Sequence, residues 1–348
     1  MAETELAIHN RMLSTITDDY DKEDGSFIYD ATKPPAIEFA TIQTQIEKVE
    51  KKLDVMNLIG DDLTNFVYAR TGIKRKTATY ATGQIKVIGA AGTVIGTDDI
   101  ASTPMNVLYS FSNDTMIDES GIAMIEVICQ SIGAVGNTAA NTITILPASI
   151  DGVISITNPI ALSNGYNEES DEELRERYFD KLQRPGKAGN KYHFEEWAKS
   201  VVGVGDARCV PRYNGPLSVK VIIIDGNRLP ANDTLIAETR RFIEQEMPFG
   251  VVDLSVVSAT PIAINVQADL QLLSNYDEQT VIATIQINLS AYLKTLAFNA
   301  DAVSYAKIGA LIIESEGVAD YENLLVNGNT ANIEIYDDQV AVVGGVNE

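Results

Sequence analysis

The sequence predicts an α+β multidomain protein with N-terminal helices, a central small β-sandwich or barrel, and C-terminal tandem α/β units. Three observations carry this prediction. Apolar residues recur at alternating 3 and 4 spacings between positions 39 and 56, the period of a helix. From Thr77 to Ala161 the chain turns to short Thr/Ile/Val runs broken by Gly, Asn and Asp, as strands and turns require. Beyond residue 162, helical and strand-like runs alternate. A chain of 348 residues exceeds one ordinary core, and we divide it at 1–76, 77–161, 162–260 and 261–348.

The N-terminal helical region contains a heptad seam of Phe39, Ile42, Ile46, Val49, Leu53 and Met56. Pro34 and Pro35 lie just ahead of it, where proline commonly begins a helix. The seam covers about two and a half heptads, short for a free-standing coiled coil. Two readings follow: a helix packed on its own domain, or a helix that docks with a partner's helices. Gly60 closes the run, and Asp61–Thr71 reads as another short helix.

In the β-rich segment, Ile85 and Val87 alternate with polar residues in QIKVI, as on a half-buried strand. AMIEVICQ (123–130) is more continuously apolar and reads as a central strand. GAVGN (133–137) has the glycines of a phosphate loop but neither its Gly-Lys-Ser/Thr ending nor a following helix. Its glycines therefore read as positive-φ turn residues. Ser170 and Glu173 form a capping-box pattern at the start of SDEELRERYFDKL. The acids around them lack the alternating oxygen ligands and glycine of a calcium loop. RPGKAGN (184–190) reads as a loop and hinge, and KYHFEEWAKSVV as a helix.

The C-terminal half uses one pattern twice. A helix runs into GVGD (203–206) and then strands, and a second helix runs into GVAD (317–320) and then strands. The glycine fits a helix C-cap and the aspartate the turn into a strand. Each unit reads as a small sheet covered by helices on one face.

Composition excludes several functions. Lys+Arg number 26 against 49 Asp+Glu, for a net charge of −23. That charge repels nucleic acid and anionic membranes, and the short basic run Lys74–Lys76 reads as a solvated element end. No stretch is long and apolar enough for a membrane span. The opening MAETELAIHN has acids where a signal peptide has bases. Cys129 and Cys209 sit in apolar runs as inert buried thiols. His9 and His193 are the only histidines, and no nucleophile elbow, zinc-protease motif, Walker loop or dinucleotide fingerprint occurs. We therefore expect no enzyme, no catalytic or metal residues and no cofactor.

One resemblance joins these pieces. GIKRKTATYATGQIKV (72–87), GAVGN, ITNPIAL (156–162), NGYNEESDEELRERY (164–178) and SVVGVGDARCVP (200–211) occur in an order and spacing that resemble the baseplate J-like family. The likeness covers roughly residues 60–270. It departs at GAAGTVIGTDD (89–99), which lacks the proline of the family's Gly-x-x-Ile-Pro-Ala-Gly-Thr turn. The resemblance implies a structural wedge subunit in the baseplate of a contractile phage tail or phage-tail-like bacteriocin. It implies self-association as a homodimer within a ring, and contact with a smaller wedge protein and with hub, sheath and fibre-attachment components. It also implies transmission of the trigger for sheath contraction, and virion assembly in the bacterial cytoplasm. It carries no catalytic residues. Under this reading the candidate partner-helix interface is the seam Phe39, Ile42, Ile46, Val49, Leu53 and Met56. The alternative is a β-rich adhesin or carbohydrate-binding module of a tail, for which residues 77–160 offer only Tyr80, Tyr109 and Phe111 as aromatics.

Overall fold

The computed structural model describes residues 2–187, 189–248 and 250–347. Ala188, within the expected hinge, lies outside the described residues. The chain forms two compact units, Met1–Arg75 with Ser170–Asp180, and Lys76–Glu169 with Lys181–Glu348. The architecture is α+β, with N-terminal helices, a half-barrel sheet and C-terminal α/β elements.

The first unit contains α1 (Glu5–Ser14), α2 (Phe27–Leu53), α3 (Gly60–Thr71) and residues 171–180 of α4 (Asp171–Gln183). α2 starts earlier than the prolines suggest. Ser26 caps it by accepting from the Tyr29 amide, so Pro34 and Pro35 fall inside the helix. Their missing N–H groups leave the carbonyls of Asp30 and Ala31 without intrahelical partners. Packing of α1 along this stretch offsets the loss, with Ile8, His9 and Ala36 buried. The pair is antiparallel: Glu3 N donates to Gln43 Oε1 at 2.9 Å, while His9 Nε2 lies 3.0 Å from Thr32 Oγ1.

α4 completes this unit from far along the chain. Its Leu174 and Tyr178 join Val55, Leu58, Leu63 and Val67 in one core. Arg175 Nη2 donates to Leu58 O at 2.6 Å. The capping box forms as expected: Ser170 N donates to Glu173 Oε2, and Glu173 N to Ser170 Oγ. The run Lys74–Lys76 differs from its solvated reading. Arg75 pairs with Asp171 at 2.6 Å, and Lys76 Nζ donates to Val204 O at 2.6 Å.

In the second unit the half-barrel comprises β1 (Tyr80–Gly89), β2 (Val94–Ile95), β3 (Ile100–Ser102), β4 (Leu108–Phe111), β5 (Thr115–Met116), β6 (Ile122–Ile132) and β7 (Val153–Thr157). Five of these form an antiparallel sheet in the order β3-β4-β6-β1-β7. β6, the apolar run read as central, lies between β4 and β1, and Ile85 and Val87 of β1 are buried. Residues 138–145 connect the two edges of the sheet. Ser102 of β3 exchanges both backbone bonds with Ile145, and Asn141 N donates to Asn158 O just beyond β7.

The first α/β unit contains α5 (Lys191–Ser200), β8 (Val204–Pro211), β9 (Ser218–Asp225), α6 (Asp233–Glu246) and β10 (Asp253–Ser258). β9 is central, antiparallel to β8 and parallel to β10. The second contains β11 (Thr260–Leu272), α7 (Glu278–Leu296), β12 (Ala302–Val303), α8 (Tyr305–Glu314), β13 (Val318–Val326), β14 (Ile333–Glu334) and β15 (Gln339–Asn347). Here β11 is central, antiparallel to β13 and parallel to β15. The two sheets thus share one strand arrangement reached in a different chain order.

Helices cover one face of each sheet. The other face of the first sheet is buried as well, because Ile222 and Ile224 pack with Ala297 and Val340 of the second unit. This explains the continuous apolar run VIII in β9, whose Val221 and Ile223 face the helical side. The repeated glycines follow the helix ends: α5 and α8 are capped by extended Val201 and Ser315, and Gly203 and Gly317 turn two residues later at φ 96° and 95°. Asp206 and Asp320 lie within strands rather than starting turns, each accepting from the next residue's amide at 2.8 Å.

Candidate functional site: an exposed helix seam and a junction of motifs

The predicted interface residues of α2 are all exposed. Phe39 is 50% accessible, Ile42 46%, Ile46 53%, Val49 59% and Leu53 67%. Met56 is 61% accessible but stands outside the helix, in the 3-10 turn Val55–Asn57. Asp54 takes extended backbone and its Oδ1 accepts from Met56 N, which ends α2 and turns Val55 and Leu58 into the core. At ~100° per residue, the seam lies roughly a third of a turn around α2 from the face that holds α1. α1 uses the Tyr29, Ala36 and Gln43 side, so the seam remains an uncovered apolar stripe within its own unit.

The sequence motifs converge elsewhere, where the half-barrel meets the first α/β unit. Gly133 turns at φ 101° after β6. Gly136 packs so closely that a Cβ would lie 2.7 Å from Cys129 Sγ and 2.9 Å from Ala81 Cβ. Its carbonyl accepts from the buried Tyr109 hydroxyl at 2.9 Å. Burial pushes the Tyr109 phenol up to about 12, so it serves as a fixed donor. Asn137 grips Gly165 twice, accepting from its amide at 2.9 Å and donating to its carbonyl at 2.8 Å. Asn158, fully buried, accepts from the amides of Thr142 and Ile143 and donates to the carbonyls of Ala139 and Ile160. All its hydrogen-bonding capacity closes the half-barrel, which accounts for ITNP without any chemistry.

Charged groups at this junction are held by structure. Asp206 forms ion pairs with Lys199 at 3.8 Å and Arg228 at 3.7 Å. Asp225 accepts from the amides of Asn227 and Leu229, and burial raises its carboxyl to about 6. Glu195 is likewise raised by burial, and its Oε1 accepts from Cys209 N. Burial pushes the Cys209 thiol up to about 12, far from a reactive thiolate. His193 stacks on Trp197 at 3.9 Å and accepts from Gly189 N through Nδ1. Among the described residues no group of His, Cys, Asp or Glu is placed to hold a metal ion. No helix among them is long and apolar enough to cross a membrane.

Three successive parts of the chain match known domain families. The Baseplate J-like protein barrel domain matches residues 84–165, the Baseplate J-like central domain residues 186–258, and the Baseplate J-like protein C-terminal domain residues 264–347. The chain belongs to the baseplate J-like family. It is similar to phage-like element PBSX protein XkdT of Bacillus subtilis (strain 168), with 28% identity over 98% of this chain and 96% of that relative. It is also similar to baseplate protein gp47 of Escherichia phage Mu, with 33% identity over 45% of this chain and 44% of the relative. A chain in the cryo-EM structure of the anti-feeding prophage baseplate is similar over 97% of each chain, at 10% identity and a TM-score of 0.39. This chain carries the family's barrel, central and C-terminal domains in succession. Its barrel and central domains meet at the motif junction, whose hydrogen bonds the sequence signalled only as glycines and asparagines near turns.

Proposed function

We propose that this baseplate J-like protein is a structural wedge subunit of a contractile tail or contractile injection particle. In this reading it forms a ring around the hub, associates with itself and with a smaller wedge protein, and transmits the trigger for sheath contraction. Hub, sheath and fibre-attachment components are its further neighbours, and assembly takes place in the bacterial cytoplasm. It transforms no substrate. The observation that carries the reading is the uncovered stripe Phe39, Ile42, Ile46, Val49 and Leu53 on α2. Apolar residues at heptad spacing are the contact surface of helix-in-groove and coiled-coil recognition. Met56 extends this surface beyond the helix end.

The test is co-purification with the other baseplate proteins of the particle. Ile46→Asp with Leu53→Asp removes two seam contacts from exposed positions, so the chain itself still folds. We expect hetero-complex formation to be lost while the thermal unfolding of the isolated chain changes little. Unaltered co-purification would rule out the seam as the contact.

A further inference from the structure

The two α/β units are built alike but completed differently. In the second unit Gly317 lies against the ring of Tyr276, where a Cβ would sit 2.7 Å from Tyr276 Cδ1. Tyr276 immediately precedes Asp277, the N-cap of α7. In the first unit Gly203 occupies the equivalent turn, and it too lies against a tyrosine ring, with a Cβ position 2.7 Å from Tyr166 Cε2. That ring does not come from the unit itself. The residue before Asn232, the N-cap of α6, is the buried Ala231. Where the second unit has its own tyrosine, the first has a methyl group, and the segment that follows the half-barrel supplies the ring.

This segment is fastened on both sides. Toward the half-barrel, Thr79 N donates to Tyr166 O, Tyr166 N donates to Thr79 Oγ1, and Asn137 holds both backbone groups of Gly165. Toward the central domain, Asn227 Nδ2 donates to Gly165 O at 3.3 Å and Asn232 Nδ2 donates to Asn164 Oδ1 at 2.7 Å. Asn232 serves twice, since its Oδ1 also caps α6 by accepting from Leu235 N. The Tyr166 ring is flanked by a second glycine, Gly226, whose Cβ position lies 3.0 Å from Tyr166 Cδ1. Neither glycine can carry a side chain while the ring is seated.

We propose that residues 163–167 are a locking strap, running on from the barrel domain, that donates Tyr166 to complete the central domain, so that the two domains behave as one rigid body. Relative motion of barrel and central domains then requires extraction of the ring and breakage of the strap's bonds. Conformational change in the protein takes place at other connections.

Hydrogen exchange of the full chain tests this. For Tyr166→Ala we expect amides of 163–167, 203–207 and 225–229 to exchange faster by about tenfold or more, with 317–326 unchanged. Adding Ala231→Tyr should restore protection at 203–207 and 225–229 but not in the strap. Asn232→Ser keeps a good N-cap while deleting the donor to Asn164, so it should speed exchange in the strap alone, and it decides the matter if Tyr166→Ala does not fold. Unchanged strap exchange in Asn232→Ser overturns the proposal. So does Tyr166→Ala that either alters nothing or accelerates exchange uniformly through 317–326.

Discussion

Arg75 Nη2 donates to Asp171 Oδ1 at 2.6 Å across 96 positions of sequence. Gly60 N donates to the other oxygen of the same carboxylate at 3.0 Å, so one aspartate ties α3 and α4 together. The Gly60 amide, and then Arg75, hold the Asp171 carboxyl below the usual carboxylate range. A depressed folded-state pKa contributes stability that is present above the unfolded value and lost as pH falls through the folded one. Asp171→Asn should therefore be less stable than the natural chain at pH 7, with the gap closing as pH falls through and below the ordinary carboxylate range. Thermal unfolding of both proteins across that range measures it.

Asp225 has the opposite sign. Burial raises its carboxyl from 3.8 to about 6. Its favourable contribution is complete below the unfolded pKa and lost as pH rises through about 6. Asn keeps the oxygen that accepts from Asn227 N and Leu229 N. Asp225→Asn should raise unfolding free energy at pH 7 by about 2 kcal/mol and flatten the decline between pH ~4 and ~6. Urea unfolding at several pH values checks this.

Thr239 lies fully buried on α6, and its hydroxyl has no hydrogen-bond partner among the described residues. Thr239→Val replaces that hydroxyl with a methyl of similar volume. Removing an unsatisfied buried polar group should stabilise the chain by about 1 kcal/mol, read as an upward shift of the urea midpoint.

Asn158→Ala removes two acceptor and two donor contacts at once. It leaves the Thr142 and Ile143 amides without that acceptor, for a loss of about 3 kcal/mol. Protease cleavage should then appear first within residues 138–146, the segment that connects the sheet edges. Resistance there equal to that of the natural chain would contradict Asn158 as the closing residue.

What was legible in the sequence was local. The Ser170–Glu173 capping box and the alternation in QIKVI depend on neighbours within a few residues, and the structure has them as expected, whereas Gly203 and Gly317 turn two residues beyond the helix caps they were expected to form. α2 begins ahead of Pro34 and Pro35, which stay exposed inside it, because α1 packs on the helix through buried Ile8, His9 and Ala36 and outweighs the prolines' helix-breaking tendency. The placement of α4 with the N-terminal helices rests on Arg75–Asp171 and Arg175–Leu58, pairs too distant in sequence for any periodicity to signal. Asn158 and Tyr166 were visible only as parts of motifs. Their roles depend on which strands close the half-barrel and on the small residue at Ala231. For the seam, periodicity marked the exposed stripe but not the end of α2 at Leu53, which leaves Met56 in the 3-10 turn that follows.

The most direct test of the wedge proposal is electron microscopy of particles made without this chain and with it restored. The account predicts no complete baseplates and no contraction-competent tails without it. The intact chain should restore both, and the Ile46→Asp, Leu53→Asp variant should not. Fully built tails that still contract in its absence would contradict it.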